Sequence, residues 1–153
     1  MDATTLLKQD HDRVRSLFRK YESAGNRVAV KAEHFAEIAN ELEIHAQIEE
    51  KIFYPAVSSI RDDDVPDLVQ EAVEEHAEVK RLLAELEGIK PGDGGFDARV
   101  RDLKDAVEHH ASEEEKEMFP EARTGLGAAR LERLGGEMSR MKEALRSRLV
   151  ARV

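Results

Sequence analysis

Two sets of histidines and carboxylates stand 65 residues apart in this chain. Asp10-His11 with Val14 returns as Glu75-His76 with Val79, and His45-Ala46-x-x-Glu49-Glu50-Lys51-x-x-x-Pro55 returns as His110-Ala111-x-x-Glu114-Glu115-Lys116-x-x-x-Pro120. Imidazole nitrogens and carboxylate oxygens in this density are ligands for metal ions. Residues four apart on a helix are rotated by only roughly 40° and lie about one turn apart, so His45 with Glu49, and His110 with Glu114, each make a two-point chelate. Placing His11 and His45 on one ion and His76 and His110 on a second leaves Glu49 and Glu114 to bridge, which shields the repulsion between two close dications. Each ion then keeps a position open for a small molecule.

Taken singly, each of these residues has a plainer explanation. A histidine on an apolar helix face is more often a hydrogen-bonded core residue than a ligand, and a His/Glu pair four apart is common on solvated faces. Taken together, four imidazoles and two carboxylates on aliphatic stripes are costly to bury unless a metal holds them. The chain has no cysteine, so thiolate zinc sites, iron–sulfur clusters, disulfides and cysteine nucleophiles are all excluded. Nitrogen and oxygen donors suit iron or manganese and are also compatible with zinc or copper.

Positioning these groups requires four helices. The first is expected from an N-cap at Thr4 or Thr5 to Ser23, with Leu7, His11, Val14 and Phe18 on one face. Gly25-Asn26 ends it. The second is expected over residues 27–58, aligning Ile38, Leu42, His45, Glu49 and Ile52, with a bend or break at Pro55. Asp62-Asp63-Asp64-Val65-Pro66 supplies a cap, acidic charge against the helix dipole and an early proline for the third, which carries Val73, His76, Val79 and Leu83 to Gly88. A glycine-rich loop over 88–95 lacks the ending of a phosphate loop and serves as a connection. The fourth is expected over 97–119, presenting Leu103, Val107, His110 and Glu114. These four make an all-α, up-down-up-down four-helix bundle over residues 1–125. Residues 126–153 add a C-terminal amphipathic helix with a Leu131, Leu134, Met138, Met141, Leu145 and Leu149 stripe, weakened by Gly135-Gly136, that folds back on the bundle or serves association.

The ligand pattern resembles the hemerythrin-like, or HHE cation-binding, family. It is carried by His11, His45-x-x-x-Glu49, His76 and His110-x-x-x-Glu114, with the Glu-Glu-x-x-x-x-Pro continuations at Glu49–Pro55 and Glu114–Pro120, and it covers about residues 4–125. The resemblance implies a four-helix bundle holding two non-haem irons bridged by Glu49 and Glu114, acting on dioxygen, peroxide or nitric oxide. Two departures stand out. Oxygen-carrying hemerythrins have a further histidine four residues before the one on the third helix, where this chain has Ala72, and they use a longer His-to-Asp spacing on the fourth. The missing fifth imidazole tells against simple oxygen carriage. The ferritin-like Glu-x-x-His and the metalloprotease His-Glu-x-x-His are both absent.

Other residues take lesser roles. His34 and His109 have no repeat partner and are read as surface or structural. Tyr54 has Phe119 as its counterpart and, on an ideal helix, lies about opposite His45, which makes it a packing residue. Turned inward by the bend at Pro55, it would be an additional ligand in place of the missing imidazole. Glu50 and Glu115, beside Lys51 and Lys116, are read as solvated charges, with partnership to the ligands from behind as the alternative, and Tyr21 is read as core.

The formal charge of −9 argues against nucleic acid as a partner, since phosphates need clustered Lys and Arg. No apolar run spans a bilayer, and the opening residues do not form a secretory signal, so a cytoplasmic location is the default. The partners expected are small molecules, with the chain a monomer or weak homodimer. No flavin or nucleotide motif and no cysteine pair offers an entry for external electrons, and peroxide is both oxidant and reductant. The expected activity is therefore catalase-like disproportionation of hydrogen peroxide by a di-iron centre in oxidative-stress defence. The alternative is reversible O2 or NO binding, or iron and oxygen sensing, without turnover.

Overall fold

The computed structural model describes residues 1–151. The last two residues of the expected 126–153 segment lie outside the described residues. The elements are α1 (Ala3–Ser23), α2 (Val28–Ile48), α3 (Tyr54–Ser58), α4 (Val65–Glu87), α5 (Phe96–Glu113), α6 (Phe119–Leu126) and α7 (Ala128–Ala151). Two π-turns, Glu49–Phe53 and Glu114–Met118, join α2 to α3 and α5 to α6 without a break. The second and fourth expected helices are thus each one continuous rod, and the architecture is the up-down-up-down bundle.

Local chemistry explains the boundaries. Asp2, rather than Thr4 or Thr5, caps α1: its carboxylate accepts from the Thr5 backbone N–H at 3.0 Å and from the Thr4 hydroxyl at 2.8 Å. A carboxylate one residue outside the helix reaches the free N–H groups and also meets the positive end of the dipole. Pro66 falls in the first turn of α4, but Asp64 makes no side-chain cap; Asp62 accepts from the Asp64 N–H at 2.9 Å. The fourth rod does not end at Phe119. It continues through Pro120 to Leu126 and stops at Gly127, whose φ of +81° is in the left-handed region.

Pro55 and Pro120 cause the π-turns. A proline lacks the N–H for the carbonyl four residues back and its ring presses on that carbonyl, so an uninterrupted α-helix is not available at Lys51 or Lys116. The bonds shift instead to the five-residue spacing: the Tyr54 N–H donates to the Glu49 carbonyl and the Phe119 N–H to that of Glu114. Such bulges concentrate at functional sites because the extra residue re-aims the side chains after it.

The apolar core divides into two clusters. One holds Leu7, Ile44, Ile48, Phe53, Phe119 and, from α7, Leu131, Leu134 and Met138; the other holds Val14, Phe18, Ile38, Leu42, Leu86, Phe96 and Leu103. The four repeated histidines lie at the waist between them. Helix α7 packs on α1 and α2. Gly135 is required for this, because a Cβ there would stand 2.1 Å from the Met1 carbonyl oxygen. The Gly135-Gly136 pair does not interrupt α7. Among the described residues, no helix is long and apolar enough to cross a membrane.

Candidate metal centre

His11 from α1, His45 from α2, His76 from α4 and His110 from α5 all turn inward and are buried, as are Glu49 and Glu114, the first residues of the two π-turns. His45 Nε2 lies 3.0 Å and His76 Nε2 2.9 Å from Glu49 Oε1, and His11 Nε2 is 3.1 Å from Glu114 Oε1. His110 Nε2 is 3.5 Å from both carboxylates and 3.0 Å from His76 Nε2. Two groups able to hold an ion result. His11, His45, Glu49 and Glu114 form one, and Glu49, His76 and His110 the other, with Glu49 common to both. All six residues expected from the repeat come together at this point.

Every outward ring nitrogen meets its own carboxylate. His11 Nδ1 is 2.7 Å from Glu115, His45 Nδ1 3.3 Å from Asp10, His76 Nδ1 2.8 Å from Glu50 and His110 Nδ1 2.8 Å from Glu75. These acceptors fix the neutral tautomer with the proton on Nδ1, so Nε2 presents a lone pair inward. Four lone pairs then face carboxylate oxygens and one another across a buried space. That arrangement is repulsive unless cations occupy it: His45 Nε2 faces Glu49 Oε1 at 3.0 Å without a well-aligned hydrogen bond, and Glu49 Oε2 has no hydrogen-bond partner among the described residues. The donor set thus fits metal ions on both geometry and charge.

Protons are the other cations that could sit there. Burial opposes charge on His45, but Glu49 and Asp10 outweigh it and raise its pKa well above the ordinary value. At His110 burial is likewise outweighed, by Glu114 and then Glu49, and the pKa is pushed up to about 10. Burial and the charge of Glu49 push the Glu114 carboxyl up. Glu115 is held down to about 2 because the hydrogen bonds from His11 and Arg15 outweigh its burial.

Glu50 and Glu115 are therefore not simply solvated, as their lysine neighbours suggest. The same 65-residue offset that relates the histidines also relates these acceptors, Asp10 to Glu75 and Glu50 to Glu115, and Arg15 to Lys80, which pair with Glu115 at 2.9 Å and Glu50 at 3.1 Å. In the sequence Asp10 and Glu75 belong to the repeat, but spacing alone assigns them no role. The signal was that a carboxylate precedes each of two repeated histidines. The symmetry lapses at the outer cations: Lys142 of α7 binds Asp10, whereas exposed His109 approaches Glu75 at 3.1 Å. His34 stays apart from the centre, 3.6 Å from Glu37.

Tyr54 departs from the packing role. The extra residue of the π-turn shifts its direction by about 100° from that of an ideal helix. Its hydroxyl donates to Glu114 Oε2 at 2.6 Å and lies 3.1 Å from His76 Nε2 and 3.3 Å from His110 Nε2. Burial, then the charges of Glu49 and Glu114, raise the phenol's pKa well above the usual value, so the metal-free protein keeps it protonated. Its counterpart Phe119 stacks on His11 with ring centres 5.8 Å apart. Tyr54 thus breaks the repeat beside the donors, on the His76/His110 side.

The model of the hemerythrin HHE cation-binding domain matches residues 2–122. The chain belongs to this family. A solved hemerythrin HHE cation-binding domain-containing protein from Mycobacterium kansasii superposes with a TM-score of 0.88 at 30% identity, covering 99% of this chain and 91% of that one. An uncharacterised protein of Mycobacterium tuberculosis is 30% identical over 95% of the chain and 88% of its own length. A DNA nickase of Nostoc sp. is 31% identical over 97% of the chain, which spans only 41% of that protein. The M. kansasii and M. tuberculosis alignments extend beyond the HHE match into α7.

Proposed function

We propose that this HHE domain holds two non-haem irons and disproportionates hydrogen peroxide in oxidative-stress defence. The observation that carries the reading is the inward convergence of four imidazole lone pairs on Glu49 and Glu114, each imidazole held by its own carboxylate. His11 and His45 would hold one ion and His76 and His110 the other, with Glu49 and Glu114 available to both. When bound, iron supplies the two-electron redox change by which one peroxide is reduced to two waters and a second is oxidised to dioxygen.

The protein's own groups manage protons and solvent. The oxidised peroxide releases two protons and the reduced one takes up two, so a donor held inside a dry site shortens the transfer. Tyr54 is such a donor: its hydroxyl is fixed by Glu114 beside His76 and His110, away from bulk water. Phe53 and Phe119 close the α7 side of the centre and the carboxylates behind the histidines keep the rings from turning. The absence of a fifth histidine at Ala72 supports turnover over carriage. The nicking function of the Nostoc relative is not carried over, because most of that protein lies outside the match and a charge of −9 repels phosphates.

The test is metal analysis followed by oxygen evolution. Protein purified without added metal is expected to hold two irons per chain and to release oxygen from peroxide faster than free iron does. His76→Ala and Glu114→Ala should abolish that activity while retaining helical circular dichroism. A Tyr54→Phe variant should keep its iron but evolve oxygen more slowly, as loss of the proton donor requires. A stable, reversible spectral adduct with O2 or NO, with no turnover of peroxide, would replace the enzyme reading by the binding one, and zinc alone would remove both.

A further inference from the structure

A cavity of about 560 Å³ opens from the histidines and runs between α2 and α4 away from α7. Along α2 it extends from Gln47 to Phe35, about 18 Å at 1.5 Å per residue. Hydrogen peroxide needs little more than the roughly 30 Å³ that a water occupies in the liquid, and it gains nothing from hydrocarbon. This cavity is of the size that takes organic molecules. Val14, Phe35, Leu42, Val79, Leu83 and Val107 line it, and Phe35, Val79, Leu83 and Val107 are only half-buried although they are packed against the core. Their uncovered area favours an apolar occupant.

The charges around the opening narrow the class further. Glu43 and Glu87 stand among the lining residues, and the lysine there, Lys80, is already paired with Glu50 at 3.1 Å. A carboxylate-bearing tail would be repelled by Glu43 and Glu87, and a neutral one would not. The inner end carries His45, whose Nε2 faces Glu49 Oε1 at 3.0 Å.

We infer that the cavity binds the alkyl or aryl part of an uncharged organic hydroperoxide, with its O–O group at the histidine end. This rests on the peroxide reading and names its second substrate class. The O–O bond of ROOH breaks, giving ROH and water, as ROOH takes up two electrons and two protons. Hydrogen peroxide supplies both and leaves as O2, so ROOH and H2O2 yield ROH, H2O and O2 in equal amounts. Hydrogen peroxide is then the reductant, and no further electron donor is needed.

Binding and turnover test this separately. Metal-free full-length protein titrated with 1-octanol, followed by ligand-observed NMR, should show saturable binding, weakened at least tenfold by Ala39→Phe and by Ala84→Trp. Each fills the cavity from a different helix, so one that fails to fold leaves the other. With iron-loaded protein, cumene hydroperoxide plus hydrogen peroxide should give cumyl alcohol and O2 one to one. Both variants should lower the ratio of cumene hydroperoxide to hydrogen peroxide turnover at least tenfold. Octanol binding that does not saturate, or that neither variant weakens, overturns the cavity assignment whatever the activity. Saturable octanol binding in a protein inert to both peroxides leaves the cavity an apolar binding site and overturns the hydroperoxide reaction together with the peroxide reading.

Discussion

At the scale of residues, the outer partners of the histidines matter as much as the histidines. Asp10 and Glu75 hold the Nδ1 protons of His45 and His110, which sets the tautomer and makes Nε2 the better donor. Asp10→Asn and Glu75→Gln keep the shape but lose the charge, and each is expected to weaken metal binding about 10–100-fold. Competition with a chelating dye measures this, and equal affinity in both variants and the parent would show that the outer carboxylates are only structural. The identities of the six inward residues were legible from spacing alone, since a fixed offset is preserved in the chain. The partners were not, because His11 meets Glu115 and His45 meets Asp10 across helix pairs that linear spacing does not relate.

At the scale of elements, the π-turns and the α1–α7 crossing carry the design. Each π-turn begins at a buried glutamate and ends before a proline-bearing helix, so the sequence that places Glu49 also turns Tyr54 inward. Proline announced a bend in the chain, but a bend and a shift of hydrogen-bond register look alike in sequence. Only the latter rotates the following residues. The crossing depends on Gly135, where Gly135→Ala would drive a methyl into the Met1 carbonyl and is expected to cost about 1–3 kcal/mol, as overpacking does. Gly136→Ala would meet only Arg140 Nη1 at 3.5 Å and should instead stabilise by roughly 0.5–1 kcal/mol through helix propensity. Urea unfolding of the two variants decides it, and equal effects would mean that α7 does not seat against the N-terminus.

At the scale of the whole molecule, the centre links metal, protons and folding. Without metal, the raised His110 pKa means that its protonation stabilises the fold fully below the ordinary value of 6.5 and that this is lost as pH rises toward about 10. Metal replaces those protons, so its affinity rises over the same window and binding releases protons. The gain in Tm on adding a divalent ion such as Zn²⁺ is therefore expected to be larger at pH 9 than at pH 6. Thermal unfolding with and without metal measures it, and a gain that shrinks with rising pH would contradict the cation exchange.

The sequence by itself determined the helices, the bundle and the six inward donors, because hydrophobic periodicity and a repeated spacing are one-dimensional properties. What only the tertiary structure decided was how those donors are held. The carboxylate behind each imidazole, the direction of Tyr54, the apolar cavity beyond the histidines and the seat of α7 all depend on side chains from separate helices meeting at distances of a few ångströms. Such distances follow from the phase of each helix and the crossing between them, and a single π-turn shifts that phase by about 100°.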